Sequence, residues 1–368
     1  MVRLQSVVAC ISRLVTMPSI GVVLVALAGL VCPASVDMAQ ADARYVPEDY
    51  VTIQAAIDAA ENGDSVLIAP GTYGGDGNTN VSLRGKRLLI SGQDPNAETL
   101  IDVENTGRAF TLQMGEPEGT RITRLTFFRC RAPGAGDGGA ILVSDATVRI
   151  EECVFRQDGA GRGGAVWIER GSAEISDCIF EGNVADEGGA VGIADADVTI
   201  TRSVFYTNWG VSIGGALWSE RGQLALEQCT CVNNLANQTG SVLGAYAQSL
   251  VTINRSIVAA NLLSAPFACA GSSIQVTCSD AFGNVGGDWG ECLTDQTGLN
   301  GNISVDPLFC GPDENPESPL TLKPSSPCLP GNHPDGVDCG LIGALGVGCD
   351  FPTAVQQRSW GGIKGTFR

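Results

Sequence analysis

Five residues could form a ligand site if the segments carrying them stack in register: Trp167, Gly192, Trp218, Glu169 and Glu220. In AVWIE, AVGIA and ALWSE the flanking aliphatic residues alternate with these positions, so a strand that buries Val166 and Ile168 points Trp167 outward. The same phase places Leu142, Gly192 and Trp218 outward on neighbouring strands. Trp167 and Trp218 would then flank Gly192, about 9–10 Å apart across two strand spacings. A glycine between two indoles leaves a shallow slot whose flat faces suit a sugar ring. Two residues on, Glu169, Ala194 and Glu220 repeat the arrangement, with the carboxylates near the separation of about 6.5–9.5 Å used by inverting glycosidases. These five residues are the expected ligand site, and Glu169 and Glu220 are the candidate acids. The competing reading is structural: the indoles cover their neighbours, and Arg170 and Arg221 pair with the glutamates.

Other constellations are poorer. Asp137, Arg162 and Glu187 share one column, but their alternating signs read as a surface charge ladder. Ser-His-Asp chemistry is disfavoured because His333 is the single histidine and lies near the C-terminal end. Calcium would need a compact carboxylate cluster, and the repeats offer no clear one. A zinc site needs convergent ligands on a turn. No metal or other cofactor is expected.

What must position these residues is a repeat. GGA begins at Gly138, Gly163, Gly188 and Gly214, spaced 25, 25 and 26 residues apart. In phase with it, Ile150, Ile175, Ile200, Leu226 and Ile253 form one column. Phe155, Phe180, Phe205, Cys231 and Val258 form a second, and Asp158, Asn183, Asn208, Asn234 and Asn261 a third. Within each unit apolar and polar residues alternate with a strand period. One such strand cannot bury its inner face, whereas parallel coils stacked about 4.8 Å apart can. Glycines supply corners, and the asparagine column fits a turn whose amides bond to those above and below. The fold class is all-β: one right-handed parallel β-helix of about nine coils over residues 44–305. A helix at 52–61 (Thr52 as N-cap) covers its N-terminal edge, and SVLIAP reads as the first buried strand.

From Asp306 to Cys349 the period dissolves into a proline- and cysteine-rich cap. Cys269 with Cys278, Cys310 with Cys328 and Cys339 with Cys349 could pair to staple the C-terminal end, although spacing leaves the connectivity open. Cys153, Cys178 and Cys229 sit in an inward column as buried thiols rather than metal ligands.

Residues 1–41 read as a signal peptide. Arg3 and Arg13 precede the apolar run from Ile20 to Val31, which is short for a membrane span, and Ala39-Gln40-Ala41 offers a cleavage site. Val31 is a poor residue before a lipidated Cys32. Removing this segment changes the formal charge from −18 to −19. That charge opposes nucleic-acid binding, and no later run is long enough to span a bilayer. The tail 350–368 is basic and carries Trp360 and Phe367, so it reads as a sorting signal or a frayed end.

The GGA and F-x-x-N markers, here FEGN at 180–183 and FYTN at 205–208, are similar to repeats of bacterial polymorphic outer-membrane proteins. The entry segment TIQAAIDAAENGDSVLIAPGTY (52–73), together with DPLFC (306–310) and CGLIGALG (339–346), resembles the openings and endings of exported β-helix proteins of the pectate lyase-like superfamily. The marker resemblance, together with the lack of a catalytic cluster and the short loops, points to a secreted or cell-surface, non-catalytic monomer that binds extracellular polysaccharide, cell-surface glycans or other cell-surface partners. The alternative it carries is a polysaccharide lyase or glycoside hydrolase acting on an extracellular polymer.

Overall fold

The computed structural model describes residues 41–290, 292–316 and 318–349. The segment up to residue 40 that reads as a signal peptide, with Cys32, and the tail from residue 350 lie outside the described residues. Parallel strands stack into a solenoid of about nine turns. One representative coil runs through the strands Val166–Glu169, Ser172–Ser176 and Ile179–Glu181. Each pairs in register with its counterpart one coil on: Val166 with Val191, Ser172 with Asp197, Ile179 with Val204. Among the described residues three long sheets result, of eight, ten and nine strands respectively, with a short fourth sheet of three strands.

The inward columns form one continuous buried core. Phe127, Phe155, Phe180 and Phe205 stack with successive ring centroids 4.8 Å apart, the spacing of the coils themselves. The GGA marker has a steric cause at each glycine. The first takes φ +58° to +68° at Gly138, Gly163, Gly188 and Gly214. The second lies against the next coil, where a Cβ on Gly164 would sit 2.1 Å from the carbonyl oxygen of Gly189.

The asparagine column is a buried ladder, and it extends one rung further than the sequence markers, to Asn284. From Asn183 to Asn261 each side chain satisfies a backbone carbonyl of the preceding coil and the amide oxygen of the next. Asn183 Nδ2, for example, donates to Phe155 O at 3.1 Å and to Asn208 Oδ1 at 3.0 Å. Asp158 is the exception at the ladder's first rung. Its Oδ1 accepts from Cys130 N at 2.8 Å, but its buried Oδ2 has no hydrogen-bond partner. Burial holds this carboxyl well above its ordinary value near 3.8. A carboxyl raised on folding contributes stability below its unfolded pKa and loses it as pH rises. Asp158→Asn replaces the orphaned oxygen with a donor facing the ladder. Urea denaturation should show a gain of about 1–3 kcal/mol at pH 7 that shrinks toward pH 4.

At the N-terminal end the structure adds an element. Ala43–Val46 forms a strand paired with Ser65–Ile68, so SVLIAP is the second strand of the ten-stranded sheet, not the first. The intervening helix runs Ile53–Ala59, with the Thr52 hydroxyl accepting from Ala55 N. Its Ile53, Ala56 and Ile57 join the buried core.

The C-terminal segment departs further from expectation. It does not close the end of the solenoid alone but folds back along the outer face of the nine-stranded sheet. Gly343 N donates to Arg255 O at 2.7 Å, and Ala344 N to Thr230 Oγ1 at 2.9 Å. Leu320, Leu322 and Ile342 pack on Val204, Val232 and Ile257 in a second buried cluster. The disulfides are Cys269–Cys292, Cys278–Cys339 and Cys310–Cys349, and Cys328 is free. All three sequence-based pairs are therefore corrected. Cys278 directly follows the strand Ser273–Thr277 and is bridged to the returning segment, a pairing that only the fold-back brings together.

Candidate functional site

Trp167 and Trp218 occupy the central positions of Val166–Glu169 and Leu217–Glu220, on either side of Gly192 in the eight-stranded sheet. Their neighbours Val166, Ile168 and Leu217 belong to the solenoid interior, whereas the indoles form a separate cluster outside it. The phase is as the alternation requires, but the open slot is not there. Trp167 is 0% exposed and Trp218 5%. The two rings stack on each other, 5.7 Å between centroids and 21° between planes. Gly192 is the reason: a Cβ there would lie 2.5 Å from Cε3 of Trp167, so the missing side chain lets that indole lean across the gap. Arg162 covers the Trp167 ring at 4.1 Å, and Leu142, Ile213 and Tyr246 pack around the pair. The space between the expected aromatic walls is filled by the walls themselves.

The two carboxylates are likewise engaged. Glu169 Oε1 accepts from Ser144 Oγ at 2.9 Å and from Arg170 at 2.8 Å, and Oε2 accepts from Trp167 Nε1 at 3.4 Å. Burial opposes ionisation of Glu169, but these hydrogen bonds and the Arg170 charge outweigh it and hold the carboxyl below its usual range. A general acid needs the opposite shift. Glu220 pairs with Arg221, which also reaches Asp195 at 2.8 Å. The Asp137–Arg162 contact at 2.6 Å belongs to the same kind of ladder between coils.

His333 is mostly buried, with Nε2 3.0 Å from Gly301 O and Nδ1 accepting from Asp335 N, so both ring nitrogens serve the loop. Cys153, Cys178 and Cys229 are buried free thiols, and burial pushes Cys229 up to about 12. Among the described residues, the potential metal-ligand group is Cys310, Glu314 and Cys349, but its two sulfurs are joined in a disulfide and are not thiolates. No helix among the described residues is long and apolar enough to cross a membrane.

Accessible polar surface is found on the ten-stranded sheet. Outward positions of four successive strands form a groove of about 410 Å³ lined by Asp197, Thr199, Gln223, Leu250, Thr252 and Gln275. These residues escaped the sequence reading because their types vary from coil to coil. The available signal was their position, since each alternates with an inward residue such as Val198, Leu224 or Val251.

Fold and surface together define a parallel β-solenoid with an open polar sheet face. Residues 112–289 match the family model described as right handed beta helix region. No curated protein matches the chain.

Proposed function

We propose that this is an exported, non-catalytic β-helix protein of the cell surface or extracellular space that binds glycans. The observation that carries the reading is the groove on the ten-stranded sheet. Its hydroxyls and amides at Thr199, Gln223, Thr252 and Gln275 provide donors and acceptors at strand spacing, as a polyhydroxylated chain requires. Three disulfides suit an oxidising compartment. The arginine-held Glu169 and Glu220 favour binding over hydrolysis.

Titration of the protein against a panel of polysaccharides tests this. Saturable binding is expected, with no shortened or unsaturated products, and Thr252→Arg should weaken it at least tenfold by blocking the groove. Product formation would instead establish the lyase or hydrolase alternative. Unchanged binding by Thr252→Arg would remove the groove from the site.

A further inference from the structure

The outer face of the nine-stranded sheet carries a cavity distinct from the groove above. It measures about 360 Å³ and is lined by Leu100, Phe128, Arg156, Gln157, Glu181 and Thr207, with Gly182 at its edge. Phe128, Arg156, Glu181 and Tyr206 occupy one outward column on four consecutive coils. The two aromatic residues therefore stand three rungs apart, about 14 Å along the axis. Tyr206 lines the next cavity along the same face, which continues to Phe282 and Phe309.

The charges here are nearly matched. Arg129 Nε binds Asp102 at 3.1 Å and covers one face of Phe128 at 4.9 Å. Arg156 binds Glu98 at 2.7 Å. Glu181 is what remains. Its Oε2 is buried without a hydrogen-bond partner, and burial raises its carboxyl above the usual range despite the Arg156 charge nearby. A buried acceptor left without a donor is destabilising, so a ligand that donates to it recovers that cost.

We infer that this face is a second binding site, for a neutral oligosaccharide lying along the solenoid axis, with Phe128 and Tyr206 as ring platforms and Glu181 as the acceptor for a sugar hydroxyl. A hydroxyl donates to Oε2 whether or not the carboxyl is ionised. Gln157 and Thr207 flank that position with further donors and acceptors. An anionic sugar is disfavoured, because Glu181 would face it with both neighbouring arginines already engaged by Glu98 and Asp102. The site is independent of the groove on the ten-stranded sheet, and variants at each separate the two.

The test is calorimetric titration with neutral β-1,4-linked hexasaccharides of glucose, mannose and xylose, with hexagalacturonate as the anionic control. At least one neutral hexasaccharide should bind Thr252→Arg protein saturably, since that change leaves this face intact. Phe128→Ala and Glu181→Ala should each weaken this binding at least tenfold. Glu181→Gln, which keeps shape and an acceptor, should weaken it less than Glu181→Ala. Thermal melts identify any variant that misfolds, in which case Glu181→Gln alone against Thr252→Arg decides. The inference is overturned if no neutral hexasaccharide binds, if hexagalacturonate binds more tightly, or if folded Glu181 variants bind as the parent does. Loss of binding in Thr252→Arg alone would overturn this site while leaving the ten-stranded groove standing.

Discussion

Asn208→Ala is expected to cost about 3–5 kcal/mol, the loss of two buried backbone partners at once. Asn208 is fully buried. Its Nδ2 donates to Phe180 O at 2.9 Å and to Asn234 Oδ1 at 3.0 Å, while its Oδ1 accepts from Asn183 N at 3.1 Å and Asn183 Nδ2 at 3.0 Å. Truncation spares Asn234 Oδ1, which keeps its bond from Asn208 N, and Asn183 Nδ2, which keeps Phe155 O. Phe180 O and Asn183 N lose the partner their turn provides, in a place water cannot reach. A methyl there also leaves a void between stacked coils. Because each coil touches only its neighbours, the damage should be local. Hydrogen exchange should speed up around 180–184 and 205–210 before it changes near Thr252. Equal protection throughout, or a loss below about 1 kcal/mol, would mean the ladder is ornamental to stability.

The solenoid was legible in the sequence because one short period constrains every coil. Phe155, Phe180 and Phe205 recur at the same phase, and an inward column in one coil is inward in all. Exposure was less legible, because pointing away from the interior does not mean meeting solvent. Trp167 leaves the core as its phase demands and is then covered by Arg162, Leu142 and Tyr246, residues whose reach no pattern of alternation reports. The fold-back of the C-terminal segment was hidden for a similar reason: a proline- and cysteine-rich stretch has no period to register against a coil. A trace of it was nonetheless present. Val154-Phe155, Ile179-Phe180 and Val204-Phe205 put an apolar outward residue beside each inward one. Sheets wet on one side avoid such pairs. Those outward side chains are the floor on which Leu322 and Ile342 rest.

The same fold-back makes stability depend on pH through Asp280. Asp280 is almost fully buried beneath the returning segment, where Oδ1 accepts from Val305 N at 3.1 Å and Oδ2 from the Cys328 thiol at 3.3 Å. Burial is the main cause that pushes its carboxyl up to about 7, and the charges of Asp288 and Asp306 add to it. The two hydrogen bonds work in the other direction and are too weak to restore an ordinary value. Its folded pKa exceeds the unfolded one, so this carboxyl's contribution is full below about pH 4 and is lost as pH rises through 7. Over roughly three pH units the loss reaches about 4 kcal/mol. The thiol offers no relief, because burial and the adjacent Asp280 charge push Cys328 upward too and keep it protonated. Denaturation followed between pH 4 and 8 should therefore show stability falling most steeply from pH 5 to 7, with exchange at the Val305 amide rising in parallel. Asp280→Asn keeps an acceptor for Val305 N and removes the titration. Its profile should fall less steeply over that range, keeping only the slope that Asp158 and other raised carboxyls contribute, and cross above the parent near neutrality. A parent profile already flat from pH 4 to 8 would mean that Asp280 ionises as a solvated carboxylate does, with water reaching it beneath the returning segment.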